Sequence, residues 1–262
     1  MILAIDVGNT NIVLGCIDKG KIHNIVRIKT DADATAAEYA IKLKDLIALF
    51  GLNTSDFDGA ILSSVVPPVN AALVNAVKMV TGLDCITVGP GIKTGMNVKI
   101  DDPSTLGCDL AVGGVAAINY YGTPAIVIDM GTATTITLVD KTNSFRGGAI
   151  IPVVKLSYAS LSSNTSLLPD ISITPPAKCI ASNTADCMRS GAVYGTAAMI
   201  DGMIDRMEAE LGEKCNLIAT GGLAAPVTKY CSHDIICDDD LLLKGLWVLY
   251  EKNKKEIDKK AK

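Results

Sequence analysis

The 262-residue sequence predicts a duplicated α/β protein. Ile2-Leu3-Ala4-Ile5 leads into Asp6-Val7-Gly8-Asn9-Thr10, and 123 residues later Ala125-Ile126-Val127-Ile128 leads into Asp129-Met130-Gly131-Thr132-Ala133-Thr134-Thr135. Each copy continues as a β-rich stretch, residues 12–17 and 136–139, that stops at turn residues, Asp18-Lys19-Gly20 and Asp140-Lys141-Thr142. Further helical and strand patterns follow each copy. A strand-turn-strand unit used twice in this way divides the chain into halves at 1–120 and 121–262, with the site expected between them.

Between the two copies, Tyr39, Leu43, Leu46, Ile47 and Phe50 form the apolar stripe of a helix stopped by Gly51. Val69, Leu73, Val77 and Val80 form a second, stopped by Gly82. Residues 61–66 and 85–88 read as strands. The uncharged run from Leu110 to Ile128 approaches the length of a membrane span, but Gly113, Gly114 and the turn residues 119–124 break it into a helix and a strand. In the second half, Ile200, Ile204, Met207 and Leu211 keep helical spacing up to Gly212, and that stripe reads as core. Leu217-Ile218-Ala219 reads as a strand ending in Thr220-Gly221-Gly222. Residues 239–250 read as a closing helix, with a basic tail fraying beyond it.

Composition excludes several classes. Hydrophobic residues at 49% and charged residues at 20% describe a globular chain with a full core. Net charge is −4, and residues 251–262 contribute six Lys against three acids, leaving the body more acidic still. An acidic body with 4% aromatics offers neither the cationic face nor the stacking platforms that nucleic acid requires. The N-terminus has no basic region or cleavage-site pattern, so a cytoplasmic protein with no membrane association is expected. Eight Cys without a C-x-x-C pair are expected to be mostly small buried thiols. Cys231, His233 and Cys237 beside Asp238 offer a metal site as the lesser alternative, but they lack the usual spacing and read first as a strand-and-loop segment with incidental thiols.

A strand ending in Asp-x-Gly-x-Thr puts a carboxylate at its tip and a glycine that lets the backbone turn. Small polar side chains and exposed N–H groups then surround the tip. N–H groups and hydroxyls meet phosphate oxygens, and the carboxylate holds a hydrated cation. One such turn also occurs in ordinary β-turns. Two in register, together with a strand ending in Gly221-Gly222 where a planar base can lie on bare backbone, point to a nucleotide.

This trio resembles the two phosphate motifs and the adenosine motif of the actin, Hsp70 and sugar-kinase superfamily. The resemblance narrows to the type III pantothenate kinases and covers essentially the whole chain. It rests on residues 6–11, Ser63-Ser64-Val65-Val66-Pro67, Leu106-Gly107-Cys108-Asp109 and Asp129-Met130-Gly131-Thr132-Ala133-Thr134-Thr135. Gly147-Gly148-Ala149-Ile150-Ile151-Pro152, Leu168-Pro169, Asn183-Thr184 and Ser190-Gly191 complete it. It implies a duplicated ribonuclease-H-like, actin-like ATPase fold, two halves around a nucleotide cleft. It also implies phosphorylation of pantothenate by ATP, the first step to coenzyme A, with magnesium and a monovalent cation, K+ or NH4+, and a dimer with the pantothenate site near its interface.

By the same resemblance residues 6–13 form the first phosphate loop, in which Asp6, Gly8, Asn9, Thr10 and Asn11 bind the nucleotide and Asp6 is a metal ligand. Asp129 is a potassium ligand, Gly131, Thr132 and Thr134 contact ATP, and Gly221 and Gly222 take the adenosine. Asp109 is the base that accepts the hydroxyl proton, and Asn9, Gly107, Asp109 and Thr184 contact pantothenate. Read without the resemblance, Asp109 is an acid in the first turn of a helix, and Thr184, Asn183 or Ser182 a helix N-cap.

Against the family pattern, Leu110 stands in place of Arg, Ile100 of Tyr, Gly113 of Asn, Thr137 of Asp and Val153 of Gly. The ATP half keeps its motifs and the pantothenate half has lost polar groups. Two further readings follow: an impaired paralogue that completes the site of a second, related chain, and a nucleotide-binding regulator.

Overall fold

The computed structural model describes residues 1–260, with side chains as far as residue 254. The chain forms two compact units, one of residues 1–96, 101–119 and 240–262 and the other of residues 97–100 and 120–239.

The first unit is built on a five-stranded sheet. Its strands are β1 (Ile2–Val7), β2 (Asn11–Asp18), β3 (Lys21–Lys29), β4 (Gly59–Ser64) and β5 (Cys85–Thr87), in the order β3-β2-β1-β4-β5. Strand β1 is antiparallel to β2 and parallel to β4. It reads as an unbroken apolar run because it is central and covered on both faces. On one face, Leu3, Ile5, Val7, Ala60 and Leu62 join Tyr39 and Leu43 of helix α1 (Ala36–Leu49) and Val69 and Leu73 of α2 (Pro67–Thr81). Helix α1 opens with a capping box between Thr35 and Glu38, and α2 ends on Gly82 at φ 74°. Strand β4 stops at Ser64, two residues short of the expected end, because Pro67 and Pro68 open α2 immediately afterwards.

Helix α3 (Cys108–Tyr120) also belongs to this unit. The second unit contains a six-stranded sheet: β6 (Asn97–Val98), β7 (Ala125–Met130), β8 (Ala133–Val139), β9 (Ser144–Pro152), β10 (Asn216–Thr220) and β11 (Ile236–Cys237). Its order, β11-β10-β7-β8-β9-β6, repeats that of the first sheet with β6 added at one edge. The predicted duplication is therefore present strand for strand, with the same pattern of antiparallel hairpins and parallel crossovers. One difference lies at the first turn. Val7 pairs with Ile12 across four intervening residues, and Met130 pairs with Thr134 across three.

Helices α4 (Val154–Asn164), α5 (Thr184–Ser190), α6 (Thr196–Leu211) and α7 (Ala224–Thr228) complete the second unit, with a π-helical turn, Gly191–Gly195, joining α5 to α6. Ala197, Ile200 and Ile204 of α6 bury against Ile126, Ile128 and Ile136. The last helix, α8 (Leu241–Lys260), belongs to the first unit and lies against β1 and β4. Gly59 gives Tyr250 its space and Gly245 lets the helix approach Val112 of α3. The backbone of α8 continues well past Tyr250, where fraying was expected, because Leu249, Tyr250 and Asn253 are still buried against this unit. The tail residues 261–262 lie outside the described residues.

None of the described helices is long and apolar enough to cross a membrane. The cysteines differ from expectation: Cys16 alone is fully buried, four are half-buried and Cys179, Cys187 and Cys237 are exposed.

Candidate functional site

In the first unit the site residues sit at the ends of β1 and β4 and the start of α3. Asp6, next to last in the wholly buried β1, is 9% exposed, and the turn after Val7 is closed by Gly8 N–H donating to the Asn11 carbonyl at 2.9 Å. Thr30 holds the turn from the side, its hydroxyl donating to Gly8 O at 2.6 Å and its N–H to Thr10 O at 3.0 Å. Asn9, Thr10 and Asn11 are left exposed at the tip. Thr30 was absent from the sequence reading, since nothing in the motif pointed 20 residues along the chain.

Asp109 lies in the first turn of α3, where its Oδ1 accepts the Leu110 N–H at 2.8 Å. The carboxylate folds back over Gly107 so closely that a Cβ there would stand 2.6 Å from Oδ1, so any larger residue would make the Asp109 side chain shift. Burial pushes the Asp109 carboxyl above the usual carboxylate range, partly offset by the N–H groups of Leu110 and of Asp109 itself. No cation among the described residues contributes. The Cys108 thiol ties the two acids to one neighbourhood: burial raises its pKa, and Asp109 and Asp6 raise it further, while the Ser64 N–H bonds its sulfur. Ser63, the register partner of Asp6 on β4, is fully buried and its hydroxyl has no hydrogen-bond partner among the described residues.

The second unit gathers a matching set around Asp129. Gly131 and Thr132 are exposed at the turn after β7. Thr134 is 1% exposed with an unpartnered hydroxyl. Gly221, at φ 94°, sits directly on this turn: a Cβ would stand 2.6 Å from the Met130 carbonyl carbon and oxygen and 2.9 Å from Asp129 Oδ1. Gly222 beside it is exposed, with nothing within 4 Å of where a Cβ would be. The structure thus brings the residues read as the adenosine motif onto the turn read as the second phosphate motif.

Asn183, not Thr184, caps α5, its Oδ1 accepting the Asp186 N–H at 2.9 Å, which leaves Thr184 exposed in the first turn. Leu110 and Ile100 are half-buried and Gly113 is buried within α3. The Thr137 hydroxyl reaches the Val127 carbonyl at 3.4 Å, and Val153 precedes α4.

Among the described residues no group of three His, Cys, Asp or Glu is placed to hold a metal ion. His233 Nε2 is 3.0 Å from Asp205, Cys237 Sγ is 3.1 Å from the Thr228 hydroxyl, and Asp238 accepts from Tyr121 at 2.6 Å. One carboxylate per turn suits a cation that keeps most of its waters and takes further oxygens from phosphates.

The family model for type III pantothenate kinases matches residues 2–206. A type III pantothenate kinase of Bacillus cytotoxicus is 40% identical over 253 residues, 97% of each chain. Among solved structures, a Campylobacter jejuni protein assigned to the Baf family of transcriptional activators is similar in fold, with a TM-score of 0.61, 18% identity, and coverage of 97% of this chain and 99% of that one. Component A of the (R)-2-hydroxyglutaryl-CoA dehydratase of Acidaminococcus fermentans is similar at a TM-score of 0.55 and 13% identity, covering 97% of this chain and 98% of its own.

Proposed function

The chain belongs to the type III pantothenate kinase family, and we propose that it phosphorylates pantothenate with ATP through the residues described above. The match over 97% of a curated kinase favours the enzyme itself over a partner-completing or regulatory role.

The observation that carries the reading is the carboxyl of Asp109, lodged over Gly107 where burial raises its proton affinity. A carboxylate with raised basicity suits removal of a proton from an attacking hydroxyl. In phosphoryl transfer the remaining task is to position the reactants and offset charge. The Asp6 turn, with Gly8, Asn9, Thr10 and Asn11, and the Asp129 turn, with Gly131, Thr132 and Thr134, present N–H groups and hydroxyls to phosphate oxygens. The bare, open backbone at Gly222 suits the face of a base. Asp6 would hold a hydrated magnesium and Asp129 the monovalent cation, K+ or NH4+. The unpartnered hydroxyls of Ser63 and Thr134 beside these turns fit that assignment, since each awaits a polar ligand. When bound, magnesium offsets the charge that spreads over the transferring phosphate. Asn9, Gly107 and Thr184 contact the acceptor.

The working form in this proposal is a cytoplasmic dimer. The exposure of Leu156 and Leu161 on α4, and of Leu167 and Ile180 after it, supports a protein contact on the second unit.

Release of ADP measured with and without pantothenate tests the reading. The expected result is pantothenate-dependent turnover that Asp109→Asn lowers by about 10²–10⁴-fold. Turnover unaffected by Asp109→Asn, or no pantothenate-dependent turnover in the unaltered protein, would overturn it.

A further inference from the structure

Ser63 lies within a motif of the first unit but has so far been given no role of its own. It is fully buried, and its hydroxyl has no hydrogen-bond partner among the described residues. Buried hydroxyls are nearly always satisfied, so one that is not asks for a ligand. Its place in the sheet shows where that ligand would be. Ser63 and Asp6 are register partners on parallel neighbouring strands, so their side chains project to the same side. The other side of those strands, carrying Ile5, Val7 and Leu62, is packed apolar core.

The second unit repeats the arrangement. Thr220 of β10 is the register partner of Asp129, as Ser63 is of Asp6, and it too is buried. A small hydroxyl residue therefore stands beside the turn aspartate in both sheets, in a position where strand cores ordinarily carry Val or Ile.

We propose that Ser63 is a positioning residue for the hydrated divalent cation at Asp6, its hydroxyl taking a hydrogen bond from a water on that cation. Magnesium gives up its waters reluctantly and is commonly held through them. Such a cation needs second partners for its water protons, and an acid alone supplies few. Ser63 acts through the cation's water and touches neither reacting atom. This rests on the nucleotide-binding part of the kinase reading and not on the identity of the acceptor.

The test uses Ser63→Ala in the full chain. Magnesium is titrated at a fixed concentration of a non-hydrolysable ATP analogue, with binding followed calorimetrically and melting followed without ligand. Loss of one hydrogen bond predicts a magnesium midpoint raised about three- to tenfold. Melting of the ligand-free protein should be unchanged or slightly higher, because alanine removes an unsatisfied group. In steady-state assays the magnesium needed for half-maximal rate should rise by more than kcat falls. Ser63→Thr, which places in this sheet the residue that the other sheet carries, should keep the midpoint near that of the unaltered protein.

A lower melting temperature with an unchanged magnesium midpoint would make the hydroxyl structural and overturn the proposal. So would a Ser63→Thr protein, melting normally, that shifts the midpoint as far as Ser63→Ala does. Absence of magnesium-dependent nucleotide binding in the unaltered protein would overturn it as well. Magnesium-dependent binding with the predicted Ser63 effect, but no phosphorylation of pantothenate, would instead support the proposal and remove only the acceptor assignment.

Discussion

Neighbouring glycines at the end of β10 separate stability from nucleotide binding, and substituting each with alanine measures the two independently. At Gly221 the backbone has φ 94°, where an L side chain costs roughly 1–2 kcal/mol. The added Cβ would also stand 2.6 Å from the Met130 carbonyl, so β7 or the turn must move by most of an ångström to reach ordinary contact. Overpacking of that kind costs about 1–3 kcal/mol. Gly221→Ala is therefore expected to destabilise by about 2–5 kcal/mol, which for a chain of this size lowers the melting temperature by roughly 5–15 °C. It should also displace Asp129, whose Oδ1 lies 2.9 Å from the new atom. At Gly222 a Cβ meets nothing within 4 Å, so Gly222→Ala should melt like the unaltered protein. If the base of the nucleotide lies on that backbone, the methyl group occupies its place and Kd for the ATP analogue rises. Calorimetric melting without ligand and titration with the analogue read both effects. A Gly221→Ala protein that melts within a degree of the unaltered one would refute the steric argument. A Gly222→Ala protein with unchanged affinity would refute the placement of the base.

Asp109→Asn should stabilise the protein at neutral pH. The folded-state pKa is raised, so stability falls as pH climbs through it and the charge is forced to form in a buried place. The gain should vanish below about pH 4, where the carboxyl is neutral in both states, and an equal shift at both pH values would contradict it. Asp140 behaves oppositely. Burial raises its pKa, but hydrogen bonds from Thr142, Arg146 and the Ser144 N–H overcome this and draw it down to about 2. Its contribution is complete above about pH 4 and is lost as pH falls toward 2, so Asp140→Asn should cost roughly 1–2 kcal/mol at pH 7 after solvent screening, read by urea unfolding. Leu110→Arg supplies a cation next to Asp109 in the first turn of α3, and it should lower KM for pantothenate about tenfold while leaving that for its uncharged alcohol analogue unchanged. Equal effects on the two acceptors would show that position 110 does not meet the carboxylate.

Much of the fold could be read from the repeat, because strand tips that end in Asp-x-Gly are rare enough for two copies to fix where each sheet begins. Helices α1, α2 and α6 announced themselves through apolar stripes and terminal glycines. Helix α4 did not, since Val154 is its only fully buried residue and there is no stripe to see. The length of α8 was hidden for a related reason: beyond Tyr250 the sequence is dominated by lysine, and only tertiary contact shows that Asn253 is still an inside position. At the site, Asp6, Asp109 and Asp129 were legible as chemistry-bearing residue types in a pattern. Ser63 was visible only as part of a motif, because the register that sets it beside Asp6 depends on strand pairing. The reason for Gly107 was likewise out of reach, as it depends on the rotamer of Asp109.

The sequence order of the first unit carries a consequence for synthesis. Its sheet comes from residues 1–96, but α8, which covers β1 and β4, is made after the whole second unit. As the chain emerges, the whole of residues 120–239 appears before that covering helix exists. Ile2, Ala4 and Ile61, apolar residues on the face away from α1 and α2, must wait exposed or be shielded by other means. Folding of the second unit can proceed during that interval, whereas the first closes only once α8 has been made. A stop codon a few residues before Leu241 would therefore damage the first unit, and with it the turn after Asp6, while sparing the second unit made just before the break.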